Sequence, residues 1–201
     1  MSLRDRVVKQ FSKPTGFVGR LVGFSLALRN RERSEWVLAL LDLKPTDRVL
    51  EIGFGPGTDI QRASRAAAFV AGVDHSQTMV QQASSRNKLA IRDGRVELKL
   101  GVAAEIPYPD AQFDCVFAIN SAQFWKNLPH TLAGIQRVLK PGGRVLLAVQ
   151  PRNKGATDET ARQVGAGLAK ALTATGFEDV HCEFKAMRPV STTAVQARRP
   201  I

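Results

Sequence analysis

The sequence predicts a doubly wound α/β fold, and three observations support it. From residue 47 onward, short apolar runs alternate with helical patterns, which is typical of a mostly parallel sheet with helices on both faces. The first apolar run leads directly into a glycine-rich loop. Only the short stretch 187–190 separates the last two runs. It is too short for a crossover helix, so the sheet should end in an antiparallel hairpin.

The apolar periodicity places seven strands and four helices after residue 45. The strands are expected near 47–52, 69–73, 95–100, 113–119, 143–150, 179–186 and 192–198. The helices are expected near 57–67, 76–89, 128–139 and 157–175. The turn Pro141-Gly142-Gly143 should end the third of these helices and begin the fifth strand.

Length and composition fit one globular domain with a small N-terminal addition. The chain has 201 residues, of which 44% are hydrophobic and 23% charged. Cys115 and Cys182 fall in predicted strands, where a packing role is expected. No Cys/His cluster has metal-ligand spacing, so no metal site is predicted. No signal peptide or membrane-spanning run is visible, which makes a cytoplasmic location the expectation.

The N-terminal segment is basic and helical in pattern. Residues 1–44 are predicted to form a helical lid that selects the substrate, and residues 45–201 the main domain. The net charge is +11, and residues 1–33 alone hold eight basic and two acidic residues. This charge favours anionic surfaces or substrates, although a solvated basic face explains it equally well. The apolar positions of the lid recur at helical spacing: Phe17, Leu21, Phe24 and Leu28.

The loop after the first strand predicts the cofactor. Its sequence, Val49-Leu50-Glu51-Ile52-Gly53-Phe54-Gly55-Pro56-Gly57, carries three alternate glycines, whereas a dinucleotide fingerprint has its third glycine where Thr58 stands. Glu51 would repel a pyrophosphate and attract a cation. S-adenosylmethionine carries a sulfonium and an ammonium and no phosphate, so it fits this loop. The helix that starts near Thr58 should favour the carboxylate of the cofactor.

A second carboxylate follows the second strand. Asp74 is expected to accept hydrogen bonds from both ribose hydroxyls of the cofactor. The alternative is a helix N-cap, for which Ser76 is better placed. His75 and Met79 are expected to line the adenine or sulfonium side, although core packing is an equal alternative for Met79.

Five blocks, taken together, resemble class I S-adenosylmethionine-dependent methyltransferases of the small-molecule and lipid subgroup. They are VLEIGFGPG (49–57), AGVDHSQTMVQQA (71–83), GVAAEIPYPDAQFDCVFAINSAQFW (101–125), IQRVLKPGGRVLLAVQP (135–151) and TGFEDVHCEF (175–184). The resemblance implies a Rossmann-like sheet and S-adenosyl-L-methionine as the cofactor. It also implies that Glu51, Gly53, Gly55, Gly57 and Asp74 bind that cofactor.

The third block departs from the family at Val102. Relatives usually have Gly-Asp-Ala there, and the Asp accepts a hydrogen bond from the adenine amino group. This chain has Gly101-Val102-Ala103-Ala104-Glu105. Either the backbone groups of Ala103 and Ala104 bind adenine alone, or Glu105 compensates. Loss of one such contact should cost about 1 kcal/mol, or roughly fivefold in affinity.

The loop after the fourth strand should lie beside the transferred methyl group. It lacks the prolines of the Asn/Asp-Pro-Pro-aromatic motif that nucleobase and glutamine N-methylating enzymes carry. The candidate catalytic residues are Asn120, which should also contact the cofactor, Trp125 and His130. Trp125 would stack on the substrate or wall the pocket, and capping or exposure is the alternative for His130.

Methyl transfer from a sulfonium needs mainly alignment and desolvation, because the sulfonium is already a good leaving group. No strongly marked base is present, which favours an amine, thiol or carbanion acceptor over an oxygen acceptor. The leading hypothesis is therefore a small-molecule or lipid-like acceptor. A membrane-associated phospholipid N-methyltransferase, in peripheral contact with the anionic inner surface, is the second. An RNA methyltransferase is less favoured because the basic stretch has few aromatics. A non-catalytic cofactor-binding regulator is the last alternative.

Overall fold

The computed structural model describes residues 31–201, in which helices and strands alternate as the sequence predicts. The helices are α1 (Arg31–Leu41), α2 (Thr58–Ala63), α3 (Gln77–Arg86), α4 (Lys88–Arg92), α5 (Leu128–Val138) and α6 (Asp158–Ala174), with a 3₁₀ turn at Ala122–Phe124. The strands are β1 (Arg48–Ile52), β2 (Phe69–Asp74), β3 (Val96–Leu100), β4 (Phe113–Ile119), β5 (Leu139–Val149), β6 (Glu178–Lys185) and β7 (Thr192–Arg198).

The seven strands form one sheet in the order β3-β2-β1-β4-β5-β7-β6. The first five strands pair in parallel, and β7 pairs antiparallel with both β5 and β6. The predicted mostly parallel sheet with a terminal antiparallel hairpin is confirmed. The chain direction across the sheet reverses between β1 and β4, and ligands bind outside the carboxyl ends of strands at such a point.

Apolar layers cover both faces of the sheet. Leu132 and Ile135 of α5 and Leu172 of α6 pack on one face. Val37 of α1 and Ile60 of α2 pack on the other. Because parallel strands are buried on both faces, their sequences read as continuous apolar runs, which makes them recognisable from sequence.

Three predicted element boundaries differ from the structure. The helix expected over 57–67 ends at Ala63. The helix expected over 76–89 breaks at Asn87, whose side-chain amide donates to the carbonyls of Ala83 and Gly57 instead of facing solvent. Strand β5 begins at Leu139, before the predicted turn. Its pairing with β4 shifts register between Phe113 and Cys115, so the Pro-Gly-Gly residues form an irregularity inside the strand.

The predicted lid lies mostly outside the described residues, and Phe17, Leu21, Phe24 and Leu28 are among those outside. Its last part is α1, which packs through Val37 and Leu41 into the core. Within residues 31–201, no helix has both the length and the apolar character to cross a membrane.

Candidate active site

A cavity of about 1150 Å³ opens at the carboxyl ends of β1, β2, β4 and β5. Each of these strands ends in a loop that contributes to its wall, and Arg33 and Ser34 of α1 close one side. Ligand pockets usually measure roughly 300–1,000 Å³. This cavity is therefore large enough for a cofactor and a second small molecule together.

The three glycines of the loop after β1 have different surroundings, although all three have positive φ. A side chain at Gly53 would collide with Ser121 in the loop after β4. A Cβ at Gly57 would lie 2.5 Å from the Cβ of Ala83, so this glycine lets α2 approach α3. A Cβ at Gly55 would meet no atom within 4 Å, and Gly55 lines the cavity. Gly55 is the position at which a ligand can approach bare backbone.

Glu51 is a buried acid whose carboxylate is not fully hydrogen-bonded by the protein. Its side chain lies in the cavity wall, and its Oε2 has no hydrogen-bond partner. The backbone N–H of Ile60 favours the ionised form of the carboxyl group but does not offset its burial. Burial, reinforced by the nearby charges of Asp59 and Asp74, raises the pKa of Glu51 well above its ordinary value. A cationic group in the cavity would remove this penalty.

Asp74 fixes the glycine loop against the end of β2. Its Oδ2 accepts from the Gly55 N–H at 2.8 Å and its Oδ1 from the Ser76 N–H at 2.9 Å. Each carboxylate oxygen can accept two hydrogen bonds, so Oδ2 keeps a lone pair for a ligand, whereas His75 Nδ1 lies 3.7 Å from Oδ1. Ser76, rather than Asp74, caps α3 by accepting from the Met79 N–H. Burial raises the pKa of Asp74, and the backbone hydrogen bonds from Ser76 and Gly55 oppose that rise.

The loops after β4 and β5 are tied together at Asn120. This residue has a φ of 51°, its N–H donates to Ala148, and its Oδ1 accepts from the Gln150 N–H at 2.8 Å. Beyond it, the Trp125 indole donates to Ser121 Oγ at 3.1 Å and stands in the cavity wall. Asn120 therefore shapes the pocket by holding two strand ends together, and Trp125 supplies an oriented aromatic surface.

Comparison with known proteins identifies the class of site. The family described as a methyltransferase domain matches residues 50–147. An uncharacterized methyltransferase of Bacillus subtilis is 29% identical over 182 residues, which cover 90% of this chain and 98% of that protein. This chain is a class I S-adenosylmethionine-dependent methyltransferase.

Further relatives are named methyltransferases too. The 27-O-demethylrifamycin SV methyltransferase of Amycolatopsis mediterranei is 34% identical over 168 residues. The match covers 80% of this chain and 61% of that protein. The 24-methylenesterol C-methyltransferase 2 of rice is 32% identical over 63% of this chain and 35% of its own. This methyltransferase thus spans less than two thirds of these two relatives.

Solved structures show the same fold. A chain from the complex between the Haloferax volcanii Trm112 methyltransferase activator and a putative methyltransferase superposes with a TM-score of 0.76 at 18% identity. The match covers 89% of this chain and 93% of that one. The phosphoethanolamine N-methyltransferase 2 of Haemonchus contortus, in complex with S-adenosyl-L-methionine, matches with a TM-score of 0.69 at 20% identity, over 85% of this chain and 53% of that one.

The residues of this methyltransferase fit its cofactor, S-adenosylmethionine. The unpartnered Oε2 of Glu51 suits the ammonium group, and the spare lone pair of Asp74 Oδ2 suits a ribose hydroxyl. The open side of Gly55 gives the space that the ligand backbone needs. Thr58 Oγ1, also buried and without a partner, lies in the same wall at the start of α2.

Most of the residues predicted from sequence line this one cavity. They are Glu51, Gly53, Gly55, Asp74, His75, Met79, Ala103, Ala104, Asn120 and Trp125. Their individual roles remain predictions.

Three predicted residues lie elsewhere. Gly57 packs between helices and does not line the cavity. His130 is exposed in the first turn of α5, where its N–H donates to the N-cap Asn127, and its side chain lines a separate shallow depression. That position does not suit a catalytic role. Glu105 lines the same depression and not the cavity, so it does not replace the missing adenine-binding Asp.

Sequence reasoning misses several polar residues of the cavity wall. In the sequence, Arg33 is one more charge of the basic N-terminus, and Gln150 and Arg152 only follow a strand. In the folded chain, Arg33 Nη1 donates to Gln150 Oε1 at 2.9 Å across 117 positions. Asp59 accepts from Ser34 Oγ at 3.0 Å. No spacing pattern connects residues so distant in sequence, so only the folded chain reveals them.

Proposed function

We propose that this methyltransferase transfers the methyl group of S-adenosylmethionine to a small-molecule or lipid-like acceptor by in-line displacement. The observation that carries the proposal is the part of the cavity beyond the glycine loop. Its apolar wall comes from Phe124, Trp125, Val149, Pro151 and Val164. The side chain of Phe124 is exposed although it lies in this wall, with 59% of the residue accessible. The rifamycin and sterol acceptors in the names of two relatives support an acceptor of this kind.

The protein contributes mainly alignment to such a reaction. When bound, the cofactor supplies a methyl group on a sulfonium, which needs no further activation as a leaving group. Glu51 and Asp74 would hold the cofactor at its ammonium and ribose ends. Trp125, fixed by Ser121, would limit the directions from which the acceptor reaches the methyl group. Such alignment is worth several kcal/mol of the barrier when the reacting atoms are held about 3–3.5 Å apart.

The acceptor side of the cavity offers no obvious general base. The polar residues that line it are Asn120, Ser121, Gln123, Lys126, Asn127, Thr131, Arg152 and Asn153. Among the described residues of that wall, none is an aspartate, glutamate or histidine. This favours an acceptor atom that is already nucleophilic, such as an amine, a thiolate or a carbanion.

The test is transfer of a labelled methyl group from S-adenosylmethionine to fractionated acceptor pools. We expect label in small organic molecules and none in RNA. The matched controls are Gly55→Val, which fills the cofactor side, and Gly94→Val, which has a similar positive φ and open surroundings away from the cavity. Label in RNA would overturn the small-molecule acceptor. A wild-type protein that binds cofactor but labels no pool would support the regulator alternative.

The phospholipid alternative is tested in the same assay. Vesicles of anionic phosphatidylglycerol and phosphatidylethanolamine are offered as the acceptor, at low and at high salt. Label in phosphatidylethanolamine that falls as salt rises would favour the membrane enzyme. Salt weakens the attraction of a basic protein to anionic lipid, because exposed charges are screened beyond a Debye length of about 8–10 Å. We expect no label in the vesicles.

A further inference from the structure

Within residues 31–201, a buried arginine in the cavity wall has no counter-ion bonded to it. Arg33 is 3% exposed and lines the cavity from α1. Its Nη1 donates to Gln150 Oε1, which is neutral, and its Nε has no hydrogen-bond partner. Among the described residues, none forms an ion pair with it. A buried charge that lacks a bonded partner costs several kcal/mol, so its retention in a cavity needs a reason.

The neighbours of Arg33 do not neutralise it. Asp59 attracts Arg33, but its Oδ2 accepts from Ser34 and its Oδ1 from Arg62 Nη1 at 3.0 Å. Arg152 approaches from the loop after β5, and its Nη2 lies 3.4 Å from the same Gln150 Oε1. Burial first, and then the charge of Arg152, lowers the pKa of Arg33 to about 10. Two guanidinium groups therefore converge on one amide oxygen in the cavity wall.

Charge is divided across the cavity. The carboxylates that line it, Glu51, Asp59 and Asp74, belong to β1, β2 and the start of α2. The cationic side chains Lys126 and Arg152 line the cavity from the loops after β4 and β5. Arg33 donates to Gln150, which also follows β5. A ligand that spans the cavity would thus meet Glu51 and Asp74 at one end and Arg152 at the other, with Arg33 and Asp59 close enough to attract each other.

We propose that the basic end binds an oxyanion group of the methyl acceptor, a carboxylate, sulfonate or phosphate, through Arg33 and Arg152. The proposal rests on the proposed function, because it names the chemical class of the acceptor. Guanidinium groups present paired N–H donors that match the oxygens of such groups. An anion there would supply the partner that Arg33 Nε lacks and would separate two like charges.

The position of Arg152 favours the acceptor over the cofactor as the source of the anion, whereas Arg33 lies nearer the cofactor side, because Asp59 acts on both Arg33 and Glu51. Gln150 and Arg152 follow β5, two strands away from β1 in the sheet. The carboxylate and the ammonium group of the cofactor are bonded to the same carbon atom. Because Glu51 beside the glycine loop suits the ammonium group, the carboxylate should lie on that side too. Thr58 Oγ1 is an unused buried donor on that same side. The anion site at Gln150 is therefore left for the second substrate.

The experiment compares two dyes that differ only in one sulfonate. The anionic probe is 8-anilinonaphthalene-1-sulfonate, and the neutral one is N-phenyl-1-naphthylamine. Fluorescence titrations are made with saturating S-adenosylhomocysteine, so that the cofactor side is filled. We expect the wild type to bind the sulfonate more tightly. Arg152→Gln should weaken the sulfonate about fivefold and leave the neutral dye within twofold, because only a charge-assisted contact is lost.

Matched variants keep the test decisive. Arg162→Gln removes the same charge from the exposed face of α6 and should change neither dye. Arg33→Gln should lower the affinity for the sulfonate dye more than Arg152→Gln does. If Arg33→Gln does not fold, Arg152→Gln still provides the test, because Arg152 is exposed and its replacement should not disturb folding.

Two results would overturn the proposal. Variants that weaken S-adenosylhomocysteine binding and leave the sulfonate unchanged would assign the arginines to the cofactor carboxylate. Equal loss of both dyes would show a packing role. Neither result depends on the labelled-methyl assay, so the acceptor anion can be refuted while the methyltransferase function stands.

Discussion

The amino and carboxyl ends of the parallel strands differ in how far their polar side chains are paired. At the amino end, Asp47 accepts from Arg144 Nη2 at 2.7 Å and from the Lys44 N–H at 3.0 Å. Asp114 accepts there from Lys140 Nζ and from the Arg48 N–H. Two buried polar atoms of the described residues lack a partner at this end, Arg144 Nε and Gln112 Oε1, and Gln112 directly precedes β4.

The carboxyl end leaves more of its polar atoms without partners. Glu51 Oε2, Thr58 Oγ1 and Arg33 Nε are all buried there, and all three residues line the cavity. Buried polar groups are normally paired, so a cluster of exceptions at one place requires explanation. The charged residues of the amino end pair with one another and with the backbone, whereas these three residues of the carboxyl end leave unpaired polar atoms in the cavity wall.

The largest effect should come from filling the open side of Gly55. We expect Gly55→Val to weaken S-adenosylhomocysteine binding by at least about 100-fold, or 2.7 kcal/mol, because the side chain would occupy ligand space. Gly94→Val carries similar strain, since Gly94 also has positive φ and a Cβ added there would meet no atom within 4 Å. Calorimetry should show that only the first variant loses affinity. Equal losses would mean that strain, not the cavity, explains the result.

The next effect tests the amino end. Asp47→Ala removes the acceptor of Arg144 and of the Lys44 N–H. Because the Arg144 side chain is 28% exposed, we expect a loss of about 2 kcal/mol in the free energy of unfolding, below the roughly 3–5 kcal/mol of a fully buried pair. Cofactor affinity should stay within twofold. Denaturant unfolding and calorimetry measure the two quantities, and a large loss of affinity would break the division between the ends.

The same division explains what the sequence could predict. The strands, the glycine loop and Asp74 follow from local patterns, because parallel strands are apolar throughout and a sharp loop needs glycine. The different surroundings of Gly53, Gly55 and Gly57 depend on Ser121 and Ala83, which are distant in sequence. The Arg33–Gln150 contact depends on how α1 packs on the sheet. Local patterns therefore located the cofactor side, and long-range packing formed the acceptor side.

Glu51→Gln should produce opposite changes in binding and in stability. The variant removes the charge that suits the cofactor ammonium, so we expect affinity to fall about tenfold, or 1.4 kcal/mol. Without cofactor it should be more stable than the wild type at pH 8 by about 1 kcal/mol, because it no longer buries a carboxyl group whose ionisation is opposed by burial, Asp59 and Asp74. Calorimetry and thermal unfolding measure the two changes.

The pH dependence of that gain has a definite sign. The folded protein holds the Glu51 proton more tightly than the unfolded chain does, because burial raises its pKa. The wild type is therefore penalised as pH rises from the unfolded pKa of about 4.3 toward the higher folded pKa, and not below it. The advantage of the variant should grow over that window and vanish near pH 4. A constant difference at all pH values would contradict an ionised, buried Glu51.

The smallest effect should come from restoring an adenine acceptor at Val102. Val102 is 48% exposed and lines the cavity, at the position where the family resemblance leads us to expect aspartate. Val102→Asp should tighten S-adenosylhomocysteine binding about fivefold, or 1 kcal/mol, by accepting a hydrogen bond from the adenine amino group. S-inosylhomocysteine has no such amino group and should not gain. Val102→Leu is the matched control, and it should leave both ligands unchanged. Equal gains for the two ligands would show that the new carboxylate acts through charge alone, and no gain would leave adenine to the backbone of Ala103 and Ala104.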